Sequence, residues 1–355
     1  MMQIRLVTDR AQPVIFQEGR RYLQFAGTSY LGMGSVPEFE QLIHQGVALH
    51  GVNHGSSRNS NVQLGIYDAF EAFFASEAGA TDSCLLSSGF LAGHLAIQSL
   101  KPEVDLLWIA PDAHPAILPE GKTGVPSQSY EDWVESCMQK AQSLMGHRIG
   151  ILANAVNPLI PKVHDFDWVG QLPQVNQYHL LIDDSHAFGV VGDTLFGTYQ
   201  RWAHLPINLC VCGSLGKALS LPAGILLGNA DWIAAVRQHP IYRSSSPPAP
   251  PFLHAFIQGQ ALYLHQKEVL AKKVAALTAR LSDLPAFYTA DEYPVISFAN
   301  PVWVQALAAR GVVVSSFPYP GPQDAPVNRI VLSAAHTDED LDYLIACLED
   351  LQAAR

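Results

Sequence analysis

The sequence predicts an α/β protein built on a doubly wound, mostly parallel sheet, with a smaller C-terminal α+β domain. Three observations carry that reading. The middle of the chain alternates short apolar runs with longer amphipathic stretches. Several of the short runs, such as LLI (180–182) and LCVC (209–212), are apolar throughout. Strands covered on both faces of a parallel sheet read in that way, whereas half-exposed strands alternate. A proline-rich stretch, SSSPPAPP (244–251), then introduces a second, shorter set of strand and helix patterns.

In chain order, strands are predicted over 83–86, 106–110, 149–153, 179–183, 209–212 and 224–227, each a compact apolar run next to glycine, serine or aspartate. Helical periodicity fills the intervals at 62–76, 90–100, 130–145 and 231–238. A long helical segment over 251–284 comes after the prolines, then strands at 295–299, 312–315 and 329–332. The chain closes on a helix within HTDEDLDYLIACLEDLQ, where Thr337, Glu339 and Asp340 suit a helix start. The expected organisation is an N-terminal arm (1–45), a large domain (46–243) and a small C-terminal domain (244–355).

Composition narrows the function classes. Of 355 residues, 48% are hydrophobic and 15% charged, enough apolar surface for an extensive core. The formal net charge is −11, and lysines and arginines are nowhere dense enough to read as a nucleic-acid or anionic-membrane surface. The N-terminal MMQIRLVTDRAQPV has charges interrupting any apolar run, unlike a signal peptide. No stretch has the roughly 18 clean apolar residues of a membrane span. Five scattered cysteines (84, 137, 210, 212, 347) without a CxxC spacing read as packing residues in a reducing cytoplasm.

In open α/β sheets, ligands sit beyond the C-terminal strand ends, so chemistry is sought in the turn after each strand. After 83–86 comes Ser87-Ser88-Gly89-Phe90, a small-residue turn into a helix that suits a phosphate. After 179–182 comes Asp183-Asp184-Ser185-His186, which fits a metal site, an acid/base pair or a helix cap. After 209–212 comes Gly213-Ser214-Leu215-Gly216-Lys217-Ala218, in which a lysine occupies an apolar, glycine-flanked turn. Taken singly, a surface lysine is the plainer reading; desolvated, its amine becomes a better nucleophile toward an aldehyde. Together the three strand ends supply the parts that pyridoxal phosphate requires: a phosphate cradle, a carboxylate for the pyridine nitrogen and a lysine for the aldehyde.

The chain resembles the α-oxoamine synthases, pyridoxal-phosphate enzymes of fold type I that include 8-amino-7-oxononanoate synthase, glycine C-acetyltransferase, 5-aminolevulinate synthase and serine palmitoyltransferase. The segments that carry the resemblance are TSYLGMGSVPEF (28–39), HGSSRNSN (54–61), LLSSGFLAGHLA (85–96), IDDSHAFGVVG (182–192), GSLGKAL (213–219), YRSSSPP (242–248) and RIVLSAAHTDEDLDYL (329–344). The resemblance implies that Lys217 carries the cofactor as a Schiff base and moves the substrate Cα proton. It implies that Asp183 pairs with the pyridine nitrogen, that His186 lies near the ring 3-oxygen, and that His114 stacks on the ring. Gly89 and Phe90 would give backbone N–H groups to the phosphate within the Ser88-Gly89-Phe90 turn, with a hydroxyl from Ser214. Ser244 would reach the phosphate of the other subunit, which implies a homodimer. Arg329 would grip the amino-acid carboxylate through its planar fork, with Ser29 and Tyr242 lining the substrate pocket.

The chain also departs from the family. Ser29 stands where an asparagine is usual, Asn53-His54 where glycine-serine is usual, and Asn154 where a glutamate is expected. The segment PLIP (158–161) replaces serine-methionine-aspartate-glycine, and the turn after the lysine reads SLPAG (220–224). The activity implied is a decarboxylative condensation of a small α-amino acid with an acyl-CoA or acyl-carrier thioester. Transamination or another amino-acid reaction is the alternative, and a catalytically silent cofactor-binding protein a further one.

Overall fold

The computed structural model describes residues 7, 13–122, 128–157, 159–290, 293–319, 321 and 323–354. Most of the N-terminal segment read above against a signal peptide, and Pro158 of PLIP, lie outside them. The strands are β1 (Val14–Gln17), β2 (Arg20–Phe25), β3 (Asp82–Leu86), β4 (Leu106–Ile109), β5 (Arg148–Asn154), β6 (Val156–Asn157), β7 (Lys162–Val163), β8 (Gln177–Asp183), β9 (Asn208–Ser214), β10 (Gly224–Gly228), β11 (Phe287–Ala290), β12 (Tyr293–Phe298), β13 (Val312–Pro318) and β14 (Pro326–Val331). They fall into two compact units, one of residues 38–156 and 164–260, the other of 1–37, 157–163 and 261–355.

The first unit is built on a six-stranded sheet of order β3-β10-β9-β8-β5-β4. Strands β4, β5, β8 and β9 run parallel, and β10 is antiparallel to both β3 and β9. The expected parallel sheet is thus present, with one reversed strand inside it. All but the first residue of β5 are buried, as are all of β10 and the 209–213 core of β9, which is why these strands read as continuous apolar runs. Three parallel strands end at Asn154, Asp183 and Ser214. Asn154 and Cys212 flank Asp183 in register, so the chemistry-bearing turns emerge at one sheet edge.

The helices Gly65–Ala78, Gly89–Leu100, Tyr130–Ala141 and Ala230–Gln238 fill the expected intervals. The third ends four residues earlier than its periodicity suggests, in a turn where Gly146 takes φ 71°. The single long helix expected over 251–284 is two, Pro250–Gln258 and Gln260–Leu281, broken at Gly259, whose ψ of 13° leaves the helical range.

The second unit carries a sheet of order β1-β2-β13-β14-β12-β11. Its strands β12, β13 and β14 match the expected C-terminal ones. Strands β1 and β2 lie in the stretch that reads as an N-terminal arm, and β2 pairs in parallel with β13, Leu23 opposite Val312. The hairpin between β1 and β2 turns on Glu18 and Gly19, both at positive φ (52° and 75°), the geometry of a two-residue primed turn. The closing helix Asp338–Ala353 starts on a capping box, Thr337 Oγ1 accepting from Asp340 N–H and Asp340 from Thr337 N–H. Among the described residues, no helix is long and apolar enough to cross a membrane.

Candidate active site

The phosphate-type turn after β3 is shaped by close backbone approach. Ser88 caps the helix Gly89–Leu100, its hydroxyl accepting from Leu91 N–H at 3.2 Å. That hydroxyl is therefore engaged within its own turn. The first-turn N–H groups of Gly89 and Phe90 have no upstream carbonyl in the helix to bind. A Cβ on Gly89 would lie 2.4 Å from both Cα and Cβ of Ser214, so only glycine lets the helix start meet the end of β9. A Cβ on Gly224 would lie 2.1 Å from the Ser88 carbonyl oxygen. Ser214 is held in turn by Ser185, whose hydroxyl accepts Ser214 N–H at 2.9 Å, while the Ser214 hydroxyl accepts Gly216 N–H at 3.1 Å.

Asp183 ends β8 and is buried, with one carboxylate oxygen accepting Ser185 N–H at 2.8 Å. Its other oxygen lies 3.7 Å from His114 Nδ1. His114, in the loop after β4, is partly exposed and feels both neighbours: burial pushes its imidazole below the usual range, the Asp183 carboxylate raises it and the Lys217 ammonium lowers it. Asp183 and Lys217, from two other strand ends, both act on His114. His186 lies in the same turn as Asp183, half-buried. The neighbouring Asp184 has a different role. It is fully buried and accepts Thr198 N–H at 2.5 Å and Thr198 hydroxyl at 2.8 Å, which ties down the loop after the site. Burial raises its carboxyl to about 7.

The Lys217 turn closes locally. Ser220 N–H donates to the Lys217 carbonyl at 3.2 Å, and Ser220 itself adopts φ 54°. A non-glycine residue in the left-handed region carries strain of order 1–2 kcal/mol.

Other expected site residues have other surroundings. Tyr242 is buried with Cys84, Glu71 and Arg58; burial first, then Glu71 and Cys84, push its hydroxyl well above the ordinary tyrosine range. Glu71 there accepts Leu85 N–H at 2.8 Å and faces Arg58 at 3.2 Å and Arg237 at 3.5 Å. Ser244 is exposed at the end of the short helix Pro240–Ser244, its hydroxyl donating to the Pro240 carbonyl. Ser29 and Arg329 belong to the second unit. Arg329 is buried on β14 between Ser297 and Ser315, its guanidinium 5.1 Å from the Phe317 ring centre. Ser29 is exposed, and its carbonyl accepts the Ser333 hydroxyl at 2.7 Å.

Two supporting groups are not announced by any motif. Ser185 reads as part of a turn, yet its hydroxyl orders Ser214. Asn154 reads as a departure, yet its amide holds the His114 loop at two points. Only their partners, distant in sequence, reveal these roles.

Comparison with known proteins bears on the fold and the family. The family model for aminotransferases of class I and II matches residues 151–348, more than half of the chain. An 8-amino-7-oxononanoate synthase from Nitrosomonas eutropha is 25% identical over 99% of this chain and 95% of its own length. One from Aliivibrio fischeri is 24% identical over 98% and 93%. Among solved structures, serine palmitoyltransferase from Sphingomonas wittichii superposes with a TM-score of 0.81 at 17% identity, over 98% of this chain and 92% of that one. The Francisella tularensis 8-amino-7-oxononanoate synthase gives 0.70 at 17% identity, over 94% and 98%. With its doubly wound sheet and strand-end site, the chain belongs to the aminotransferase class I and II family, as a fold-type I pyridoxal-phosphate transferase of the α-oxoamine synthase kind.

Proposed function

We propose that the protein is an acyltransferase resembling 8-amino-7-oxononanoate synthase, joining a small α-amino acid to an acyl thioester with loss of CO2 and thiol. The observation that carries the reading is the convergence on His114 of Asp183 and Lys217 from separate strand ends. The donor set fits pyridoxal phosphate: an amine, a buried carboxylate, an aromatic imidazole, and a helix start beside a serine hydroxyl. When bound, the cofactor supplies an aldehyde for an amine and a ring that draws electrons from the substrate Cα.

The chain's own groups do the rest. Lys217 Nζ would hold the cofactor aldehyde and would take the substrate Cα proton. Asp183 would face the cofactor's ring nitrogen and favour its protonated form by charge, with His114 and His186 as the residues that would hold the ring. The N–H groups of Gly89 and Phe90 and the Ser214 hydroxyl would hold the phosphate, and the resemblance assigns Ser244 to the phosphate of a second subunit in a homodimer. The resemblance assigns Arg329 to the substrate carboxylate and Ser29 and Tyr242 to substrate binding. Five free cysteines, all buried, are in keeping with a reducing cytoplasm.

The test is spectroscopic, then chemical. Purified protein given pyridoxal phosphate should show a visible band that Lys217→Ala lacks. Glycine, alanine or serine should shift that band, and thiol should then be released from an acyl-CoA only in the presence of the matching amino acid. Positioned proton transfer is typically worth about 10²–10⁴-fold, so Lys217→Ala should lose at least that much turnover. Amino-group transfer to a 2-oxo acid with no thiol released would replace this reading with the aminotransferase one.

A further inference from the structure

Asn154 ends β5, is 3% exposed, and stands opposite Asp183 in register. Its side-chain oxygen accepts His114 N–H at 3.0 Å and its side-chain nitrogen donates to the Asp112 carbonyl at 2.5 Å. A carboxylate of that length would meet the Asp112 carbonyl with a second acceptor, so only the amide serves both ends. The same turn is anchored from its other flank. Asp112 Oδ2 lies 2.8 Å from Nε2 of the fully buried His164, on which the Tyr130 ring stacks at 3.7 Å between centres.

The clamp has a consequence for the imidazole. His114 Nδ1 accepts Ala116 N–H at 3.1 Å, and a nitrogen that accepts carries no proton. The same Nδ1 is 3.7 Å from Asp183 Oδ2, an ion pair only if Nδ1 is protonated. The two arrangements exclude each other. The Ala116 N–H bond is the shorter and is built into the turn that His114 caps, so it decides for the neutral ring with its proton on Nε2. The charged groups acting on this ring are Asp183 from β8 and Lys217 from the turn after β9. Burial, the largest influence, favours the neutral form.

We propose that Asn154 is a positioning residue: it sets the Asp112–His114 turn so that His114 presents a neutral ring beside Asp183 and leaves that carboxylate's charge to the cofactor's ring nitrogen. This rests on the assignment of Asp183 and Lys217 to the cofactor made above. The test uses the full chain labelled with ¹⁵N-histidine, with two-bond proton–nitrogen spectra recorded before cofactor is added and His114 identified by its loss in His114→Gln. Wild-type His114 is expected neutral at pH 7, with Nδ1 unprotonated and Nε2 protonated. Asn154→Asp is expected to shift that state and to weaken pyridoxal-phosphate affinity, read by quenching of protein fluorescence, by roughly tenfold. Asn154→Ser, too short to reach both backbone groups, should do the same, and it stands in if the aspartate variant fails to fold. A cationic wild-type His114 at pH 7 overturns the proposal, as does a folded variant with unchanged histidine spectrum and cofactor affinity. A wild-type protein that binds the cofactor without a Lys217-dependent visible band overturns instead the functional reading, because the histidine spectrum is recorded on the cofactor-free chain.

Discussion

Single residues at the site are under opposing demands, and three of them give measurable consequences. Ser220 holds φ 54° in the turn after Lys217, where glycine would be unstrained. Ser220→Gly should therefore raise stability by roughly 0.5–1 kcal/mol after the entropy cost of the added glycine, measured by urea unfolding. Gly224 shows the reverse. A Cβ there would lie 2.1 Å from the Ser88 carbonyl oxygen, so Gly224→Ala should cost roughly 1–3 kcal/mol and weaken cofactor binding together with stability. Asp184 carries a pH signature. Its carboxyl is raised to about 7 from 3.8, so the folded chain keeps a proton there that the unfolded chain releases first. Its contribution to stability is therefore fullest below pH 4 and is lost as pH rises from about 4 through 7. Asp184→Asn, which keeps an acceptor for Thr198 N–H, should flatten the stability profile across that window; an unchanged slope would refute the assignment.

At the scale of elements, the sheet and its capping devices decide where chemistry can be placed. Glu71 on the helix Gly65–Ala78 ties that helix to β3 through Leu85 N–H and offsets Arg58 and Arg237, which also grips Asp82 in a fork at 2.7 and 3.0 Å. Because Glu71 is 4% exposed, Glu71→Ala leaves the buried Leu85 N–H without its acceptor, while Arg58 keeps Asp68 and Arg237 keeps Asp82, and should cost roughly 1–3 kcal/mol in thermal or denaturant unfolding. The capping box of the last helix is smaller in effect, since a threonine acceptor at a helix start contributes about 1 kcal/mol. These elements were largely legible in advance: parallel strands announce themselves as local apolar runs, and a Thr-x-x-Asp start is written in four consecutive residues. The hairpin β1–β2 was not, because its partner β13 lies almost 300 residues away and its strands are short.

For the whole molecule, binding acts on stability through mass action. A ligand that binds only the folded chain stabilises it by about 2.7 kcal/mol at a hundredfold excess over its dissociation constant. Pyridoxal phosphate should accordingly raise the melting temperature of the wild type, and by less for Lys217→Ala. Sedimentation equilibrium should return twice the chain mass of 38.6 kDa if Ser244 completes a partner's site.

By itself the sequence determined the fold class, the order of the central strands' turns and the three strand ends where a carboxylate, a lysine and a small-residue turn into a helix occur. Each of these is set by residues adjacent in the chain. Only the tertiary structure decided which strands neighbour each other, and with that the roles that depend on distant partners: Asn154 clamping the His114 turn, Ser185 ordering Ser214, and Tyr242 packed with Cys84 and Glu71. A hydrogen bond between residues dozens of positions apart is fixed by sheet order and register, which no local run of residues encodes.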